Sequence, residues 1–471
     1  MSIHRLSPAL SLLCVGLLLS CSNGGGGGQA PVRTTGSALV NVTLTADSTC
    51  GTPQGPYSHI FITVVDVRAN TSATALPSDA GWVDLTPNLR SKPVQIDLLG
   101  SNALLCSLPA LATGTEIAPA TFQQFDVILL ANASASQVTN NACGTAANCV
   151  VLASNNSVQP ITITGEAQNG IVILPAQIAG GSFPVNVNEN KTLNLAVNSC
   201  ASVVTSSNGQ LSFSPLFFAG LVSPNASSIT GRVIEGVNLG TIVGGRAVVV
   251  LEQKDFNGID RILKATVPDN SGNFSFCGLP AGNYDVVAIG TNGLNIAYGA
   301  TVAVGVPAGT NLGNLPIFPQ SGANQAAATL AGLVTTTGTS GAVSADLMIS
   351  TLQTIAVGTS TLTFTVPQVA PPATTVSVAT EANASCPNAT DCVNYTLVVP
   401  VTNAYAGTFL ASGTTYAQTT LTVPYVVDAI AFIPGSGGSR NCSPSEMQSA
   451  NQTVTAGATT IVPTLTFIGC R

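Results

Sequence analysis

The sequence predicts an all-β protein, built as three β-sandwich-like domains in tandem. Gly, Val, Thr, Ala and Ser dominate the chain, and the restricted χ1 of β-branched residues suits a pleated sheet. Short runs alternate apolar and polar with a period of two. Long Glu/Lys/Arg/Leu/Ala-periodic stretches of the kind that make amphipathic helices are missing. At roughly 100–200 residues per domain, the length of 471 residues gives three domains. Apolar residues make up 45%, enough for large cores, and charged residues only 7%, against about 25% in an average chain. Ser, Thr, Asn and Gln therefore supply the polar surface. The net charge is −7 and Lys and Arg are scattered, which argues against a nucleic-acid partner.

Residues 1–20 read as a signal peptide. His4 and Arg5 precede an apolar run over 6–19, broken by Ser7, Pro8 and Ser11. That run is shorter than the roughly 20 apolar residues of a spanning helix. It ends Leu18-Leu19-Ser20-Cys21, followed by Ser22, Asn23 and five glycines, Gly24 to Gly28. This resembles the bacterial lipoprotein cleavage box, with Leu19 standing where a small residue is usual. The resemblance implies that Cys21 becomes the acylated N-terminus and that 21–36 is a Gly-rich tether. The alternative is an ordinary secretory signal with an incidental Cys. Ser22 after the Cys resembles lipoproteins sorted to an outer membrane.

Residues 37–222 form the first β-rich domain. Across 38–46, Val40, Val42 and Leu44 face away from Asn41, Thr43 and Thr45, as in a half-buried strand. The run 58–68 is apolar on both faces and is expected to lie centrally. Further strands are expected at 82–85, 94–99, 122–130, 161–164, 171–174 and 192–197, punctuated by Asn and Gly. Five segments carry a resemblance to domain-of-unknown-function family 4382, across roughly 37–135. They are Leu44-Thr45-Ala46-Asp47, the run from His59 through Asp66-Val67, Gly81-Trp82-Val83-Asp84-Leu85, Val94-Gln95-Ile96-Asp97-Leu98-Leu99, and the run Phe122 to Leu129. The family's Pro soon after the first Asp is delayed to Pro53, and its Gly-x-Tyr is replaced by Pro119-Ala120-Thr121-Phe122. The resemblance implies export and no known activity, and puts Trp82 at a core position.

Residues 226–318 form the second domain. Ile229-Thr230-Gly231-Arg232-Val233 precedes an apolar run over 247–251, then Asp269-Asn270-Ser271-Gly272-Asn273-Phe274 and Leu279-Pro280-Ala281-Gly282-Asn283-Tyr284. This looks like the carboxypeptidase regulatory-like domain, a seven-stranded, transthyretin-like sandwich. Gly272 and Gly282 are read as permissive turn residues. That resemblance implies a non-catalytic module whose fold is grouped with carbohydrate-binding sandwiches. Residues 319–327 read as a linker of small residues. Residues 328–471 make a third β domain, with strands near 345–352, 361–366, 375–380, 395–401, 419–427 and 461–467.

Twelve cysteines are present. Setting aside Cys14 and Cys21, an even number remains, and export then argues for disulfides. Cys143 and Cys149, like Cys386 and Cys392, are separated by five residues and suit small closed loops. Neither pair has C-x-x-C spacing or a nearby His. Cys442 with Cys470 is a candidate pair inside the last domain. Cys50, Cys106, Cys200 and Cys277 are left unassigned.

No catalytic constellation, metal site or cofactor is expected. Beyond His4 the one histidine is His59, on a strand beside Phe61, with no Gly-x-Ser-x-Gly elbow to accompany it. Asp255-Phe256-Asn257-Gly258-Ile259-Asp260 lacks the ligand spacing of a calcium loop and reads as a type I′ hairpin turn. Tyr57, Tyr298, Tyr405 and Tyr416 lie beside loop residues and could stack a sugar, with packing at strand ends as the plainer reading. The expected role is a lipid-anchored, non-catalytic structural or binding module of the cell envelope, at the outer membrane or cell surface, with an envelope protein or glycan as partner. The alternatives are a carbohydrate-binding surface protein and an exported hydrolase.

Overall fold

The computed structural model describes residues 36–46, 56–100, 110–163, 169–178, 180–197, 199–205, 210–213, 215, 217–222, 227–240, 246–255, 257–279, 282–292, 294–369, 376–382, 384–387, 389–419, 424–432 and 442–470. Cys21, the expected signal peptide 1–20, nearly all of the expected tether 21–36, and Cys50 and Cys106 lie outside these residues. The regular secondary structure of the described chain is nearly all strand. No helix among the described residues is long and apolar enough to cross a membrane.

The first domain packs two main sheets face to face. One has four strands in the order Phe217–Val222, Asn190–Val197, Ala38–Ala46 and Ala110–Ile117. The expected alternation holds: Val40, Val42 and Leu44 are buried in the core. The second sheet is built on the long strand Tyr57–Asn70, which pairs with Gln124–Leu129, Cys149–Leu152, Val83–Asp84 and Val94–Asp97. Its central place is the one its two apolar faces predict, since both sides of such a strand need cover. Ile60, Ile62 and Val64 meet Phe125, Val127, Leu193 and Leu195 in one core.

The second and third domains are joined more intimately than two sandwiches on a string. Three layers stack. Asn273–Leu279, Ser227–Glu235 and Asn311–Ile317 form the first. An eleven-stranded sheet forms the middle layer. It runs through Ala297–Pro307, Asn283–Thr291, Arg246–Lys254 and Ile259–Thr266, and continues into Ser360–Val366, Asp346–Val357 and Val426–Phe432. The third layer is built on Ala328–Gly338 and Asp391–Val399. Val249, Leu251, Val286 and Ala288 point into the first core, while Val248, Val250, Val287 and Ile289 point into the second. The unbroken apolar runs at 247–251 and 286–289 thus follow from burial on both faces.

The boundary expected at 319–327 is therefore a change of layer, and strands on both sides of it share one sheet. Gln320 is buried, its Nε2 donates to the Ala326 carbonyl at 2.9 Å, and its Oε1 accepts the Val401 amide. The strand expected over 419–427 also differs: the structure starts it at Val426 and runs it to Phe432. Gly272 does hold a left-handed φ of +86°, with the Val233 carbonyl where a Cβ would be. Gly282, expected to act alike, lies outside that region. In the Asp255 turn Gly258 takes φ +78° and its amide returns to the Asp255 carbonyl at 3.1 Å. Gly258 is the residue with left-handed φ among the turn's described residues, so the type I′ form, which needs two such residues, is not adopted.

The structure joins Cys143 to Cys149, Cys386 to Cys392 and Cys442 to Cys470, and Cys277 is also disulfide-bonded. The Cys200 side chain lies outside the described atoms. Loop closure makes the sequence separation of 28 in the last pair worth more than the separation of 6 in the first. Replacing Cys442 and Cys470 by Ser is expected to cost about 3–4 kcal/mol, against about 2 kcal/mol for Cys143 and Cys149. Urea unfolding of the two double variants measures both.

Candidate functional site

A cluster of polar groups of the first domain lies at one end of the seven-stranded sheet. Along Tyr57–Asn70, Asp66, Arg68 and Asn70 share a face, and Arg68 and Asn70 stand in register with Asp126 and Gln124. These groups stand among the apolar side chains of the sheet. Residues 71–93 fold over them, and the polar side chains tie that segment down. Asn70 accepts the Ser72 amide and Gln124 the Ala75 amide, each at 2.8 Å. Arg90 holds Asp66 at 2.6 and 3.0 Å and Asp84 at 3.4 Å. The Thr86 hydroxyl accepts the Val67 amide at 2.8 Å, and Asp84 accepts the Thr86 amide at 2.8 Å.

Trp82 caps this layer instead of entering the core. It is half-buried, its Nε1 donates to the Leu76 carbonyl at 2.9 Å, and the Arg68 guanidinium carbon lies 5.3 Å from its ring centroid. A cation held on an indole face is stabilised by the ring quadrupole. On its other side Arg68 grips Asp126, with Nε 3.1 Å from Oδ2 and Nη2 closer. Asp126 is fully buried. Burial raises its pKa to about 6 although Arg68 pulls the other way. A Cβ on Gly170, at φ +136°, would collide with the same carboxylate. Asp126 Oδ1, Asn70 Nδ2 and Gln124 Nε2 find no hydrogen-bond partner among the described residues. The layer is thus a latch that fastens 71–93 to the sheet, with spare donors and an acceptor at its base.

The other singled-out residues are not brought together. His59 is exposed, stacked on Phe61 at 5.4 Å, with Nδ1 2.7 Å from Asp97 Oδ2. No group of three His, Cys, Asp or Glu among the described residues is arranged to hold a metal ion. Asp255 gives its carboxylate to the Asn257 and Ile259 amides and to Arg261. The tyrosines form no common strip. Tyr298 is buried, donating to Glu235 at 2.8 Å. Tyr405 stacks on Phe318 at 4.0 Å, and Tyr57 and Tyr416 pack against two different cores. Packing at strand ends is the reading the geometry favours.

What sequence reasoning did not single out is an apolar loop end on the second domain. Val237, Leu239 and Leu294 are 67%, 70% and 81% exposed. They sit on the loops that follow Ser227–Glu235 and Asn283–Thr291. The Tyr298 hydroxyl joins the bases of the two loops, donating to Glu235 at 2.8 Å and bonding the Asn292 side chain, while the Asn238–Glu235 hydrogen bond at 2.6 Å folds the first loop back on its own strand end. Leu239 has φ +56°, a left-handed conformation costly for a residue with a Cβ.

Residues 37–215 match a family model described as a domain of unknown function, DUF4382. The match reaches well past the motif segments, to the end of the first domain's strand Leu211–Phe213. No curated protein matches the sequence. Among solved structures, the TIE protein of Bacillus anthracis is 8% identical, covering 92% of this chain and 50% of that one, with a TM-score of 0.16. The chain therefore spans half the length of that protein. The shaft pilin SpaA of Lactobacillus rhamnosus GG is 10% identical over 60% of this chain and 98% of its own, with a TM-score of 0.17. The minor pilin GBS52 of Streptococcus agalactiae is 11% identical over 51% and 95%, with a TM-score of 0.17. Superposition at this level leaves function to be argued from the chain's own residues.

Proposed function

We propose that this chain is a lipid-anchored, non-catalytic binding module of the cell envelope, held by Cys21 and presenting its loops to an envelope protein. The observation that carries the reading is the paired loop end with Val237, Leu239 and Leu294. Exposed aliphatic side chains clustered on adjoining loops mark contact surfaces, and rigid sandwiches characteristically carry binding residues on their loops. The cystines and the lipoprotein-like start support placement outside the cytosol. The seven strands spanning 227–317 support the regulatory-like reading of the second domain, a module that accompanies other activities.

The test compares the full chain with a Val237→Asn, Leu239→Asn, Leu294→Asn variant for binding to isolated envelope protein. The expected result is at least a tenfold loss of affinity with an unchanged unfolding midpoint. Equal binding by both proteins contradicts the reading.

A further inference from the structure

The two halves of the eleven-stranded sheet meet at a short seam. Ile259–Thr266 pairs with Ser360–Val366 through two register pairs only, Ile259 with Thr363 and Asp260 with Phe364. Beside the seam, on Arg246–Lys254, stands Glu252, completely buried. Its Oε2 accepts the Thr365 amide across the seam at 3.3 Å, and the Thr365 hydroxyl donates to the Asp260 carbonyl at 2.9 Å. Glu252 Oε1 has no hydrogen-bond partner among the described residues.

The groups facing Glu252 are mostly acidic. Asp285 is its register partner on Asn283–Thr291 and accepts the Gly305 amide at 2.8 Å. Asp260 pairs in register with Lys254, whose Nζ is 3.4 Å from Oδ2. Arg261 is engaged by Asp255, Asp428 and Glu446. From Ser360–Val366 only Thr hydroxyls and amides face the site. Lys254 pairs with Asp260 alone of the three carboxyl groups, and Glu252, the most deeply buried of them, has no ion-pair partner among the described residues. A carboxyl in that position is held more cheaply as the neutral acid.

We propose that Glu252 is carried as the carboxylic acid and that the seam between the two halves of the sheet closes only over this neutral form, so that the seam loosens as the medium turns alkaline. On loosening, the proton passes to solvent hydroxide and the carboxylate left behind takes up water. Burial, then Asp260, holds the Glu252 carboxyl well above the usual range, and burial, then Asp285, pushes Asp260 up to about 7. Both groups bind protons more tightly folded than unfolded. The stability they confer is complete below the unfolded values of 3.8 and 4.5 and is lost as pH rises through the folded values.

Amide hydrogen exchange on the full chain, corrected for intrinsic rate, tests this. Protection of the Thr365 amide is expected to fall at least tenfold between pH 6 and pH 9, and Glu252→Gln is expected to abolish that fall. A pH-independent wild type, or a variant that keeps the full pH dependence, overturns the proposal. The infrared difference between the unmutated chain and Glu252→Gln at pH 7 gives a second arm: a protonated carboxyl stretch that the variant loses supports it, and an unchanged carboxyl band overturns it. Added calcium that restores protection at pH 9 also overturns it, because the acids would then be a cation site.

Discussion

Replacing Arg261 by Met is expected to destabilise the chain by about 3–5 kcal/mol, the usual consequence of removing one partner of a buried ion pair. Arg261 reaches Asp255 at 3.0 Å, Asp428 at 2.5 Å and Glu446 at 2.6 Å. Asp428 is fully buried, so losing the guanidinium strands a charge with no access to water. Asp255 and Arg261 belong to the second segment of chain, Asp428 and Glu446 to the third, and the network spans the middle sheet near its seam. Arg261→Lys is expected to fall between wild type and Met, because an ammonium cannot engage three carboxylates in a planar fork. Adding Asp428→Leu to Arg261→Met should recover most of the loss, since removing both members of a buried pair is often close to neutral. Urea unfolding of the wild type, Arg261→Met, Asp428→Leu and the double variant reads the coupling. Equal additive losses would show that Asp428 does not depend on Arg261.

The second large effect is expected at the latch. Arg68→Met should cost about 1–2 kcal/mol at pH 7, because Asp126, with a pKa of about 6 beside Arg68, takes a proton once its cation is gone, at about 1.4 kcal/mol per pH unit. Asp126 has a pKa of about 6 with Arg68 present, and losing the guanidinium raises it further. A raised carboxyl is stable as the acid and loses its contribution as pH rises through the folded value. The variant's deficit should therefore shrink at pH 5, where Asp126 of the wild type is protonated as well, and Arg68→Met with Asp126→Asn should show little pH dependence. Trp82 fluorescence follows the release of 71–93 alongside the unfolding curve. A deficit that is the same at pH 5 and pH 7 would mean that the Asp126 charge is not what the latch neutralises.

Strand-level structure was legible in the sequence where one residue's environment decides its type. Val40, Val42 and Leu44 gave away a half-buried strand, and the doubly apolar 58–68 gave away a central one. Gly272 marked its turn because only a residue without a Cβ fits beside the Val233 carbonyl. The shared middle sheet was not legible as such. The runs 247–251 and 286–289 are apolar on both faces, which signals two covers, yet a run does not state that the second cover comes from residues beyond 319. Pairing between Asp260 and Phe364 spans the boundary and leaves no local pattern.

The latch left a clue that was available. Asp66, Asp84 and Asp126 interrupt apolar segments of the family motifs, and a carboxylate there requires a partner. Which cation answers each one depends on the register between distant strands: Arg68 meets Asp126 because their strands pair there, and Arg90 arrives from the covering segment. The apolar loop end was hidden for another reason. Val237, Leu239 and Leu294 look like core residues by type, and only their positions on turns expose them.

The measurement that bears most directly on this account is mass spectrometry of the native, unreduced protein. The expected product begins at an acylated Cys21 and yields Cys143 linked to Cys149, Cys386 to Cys392 and Cys442 to Cys470. Recovery of peptides from residues 1–20 on the mature chain, with those six thiols open to alkylation, would contradict it.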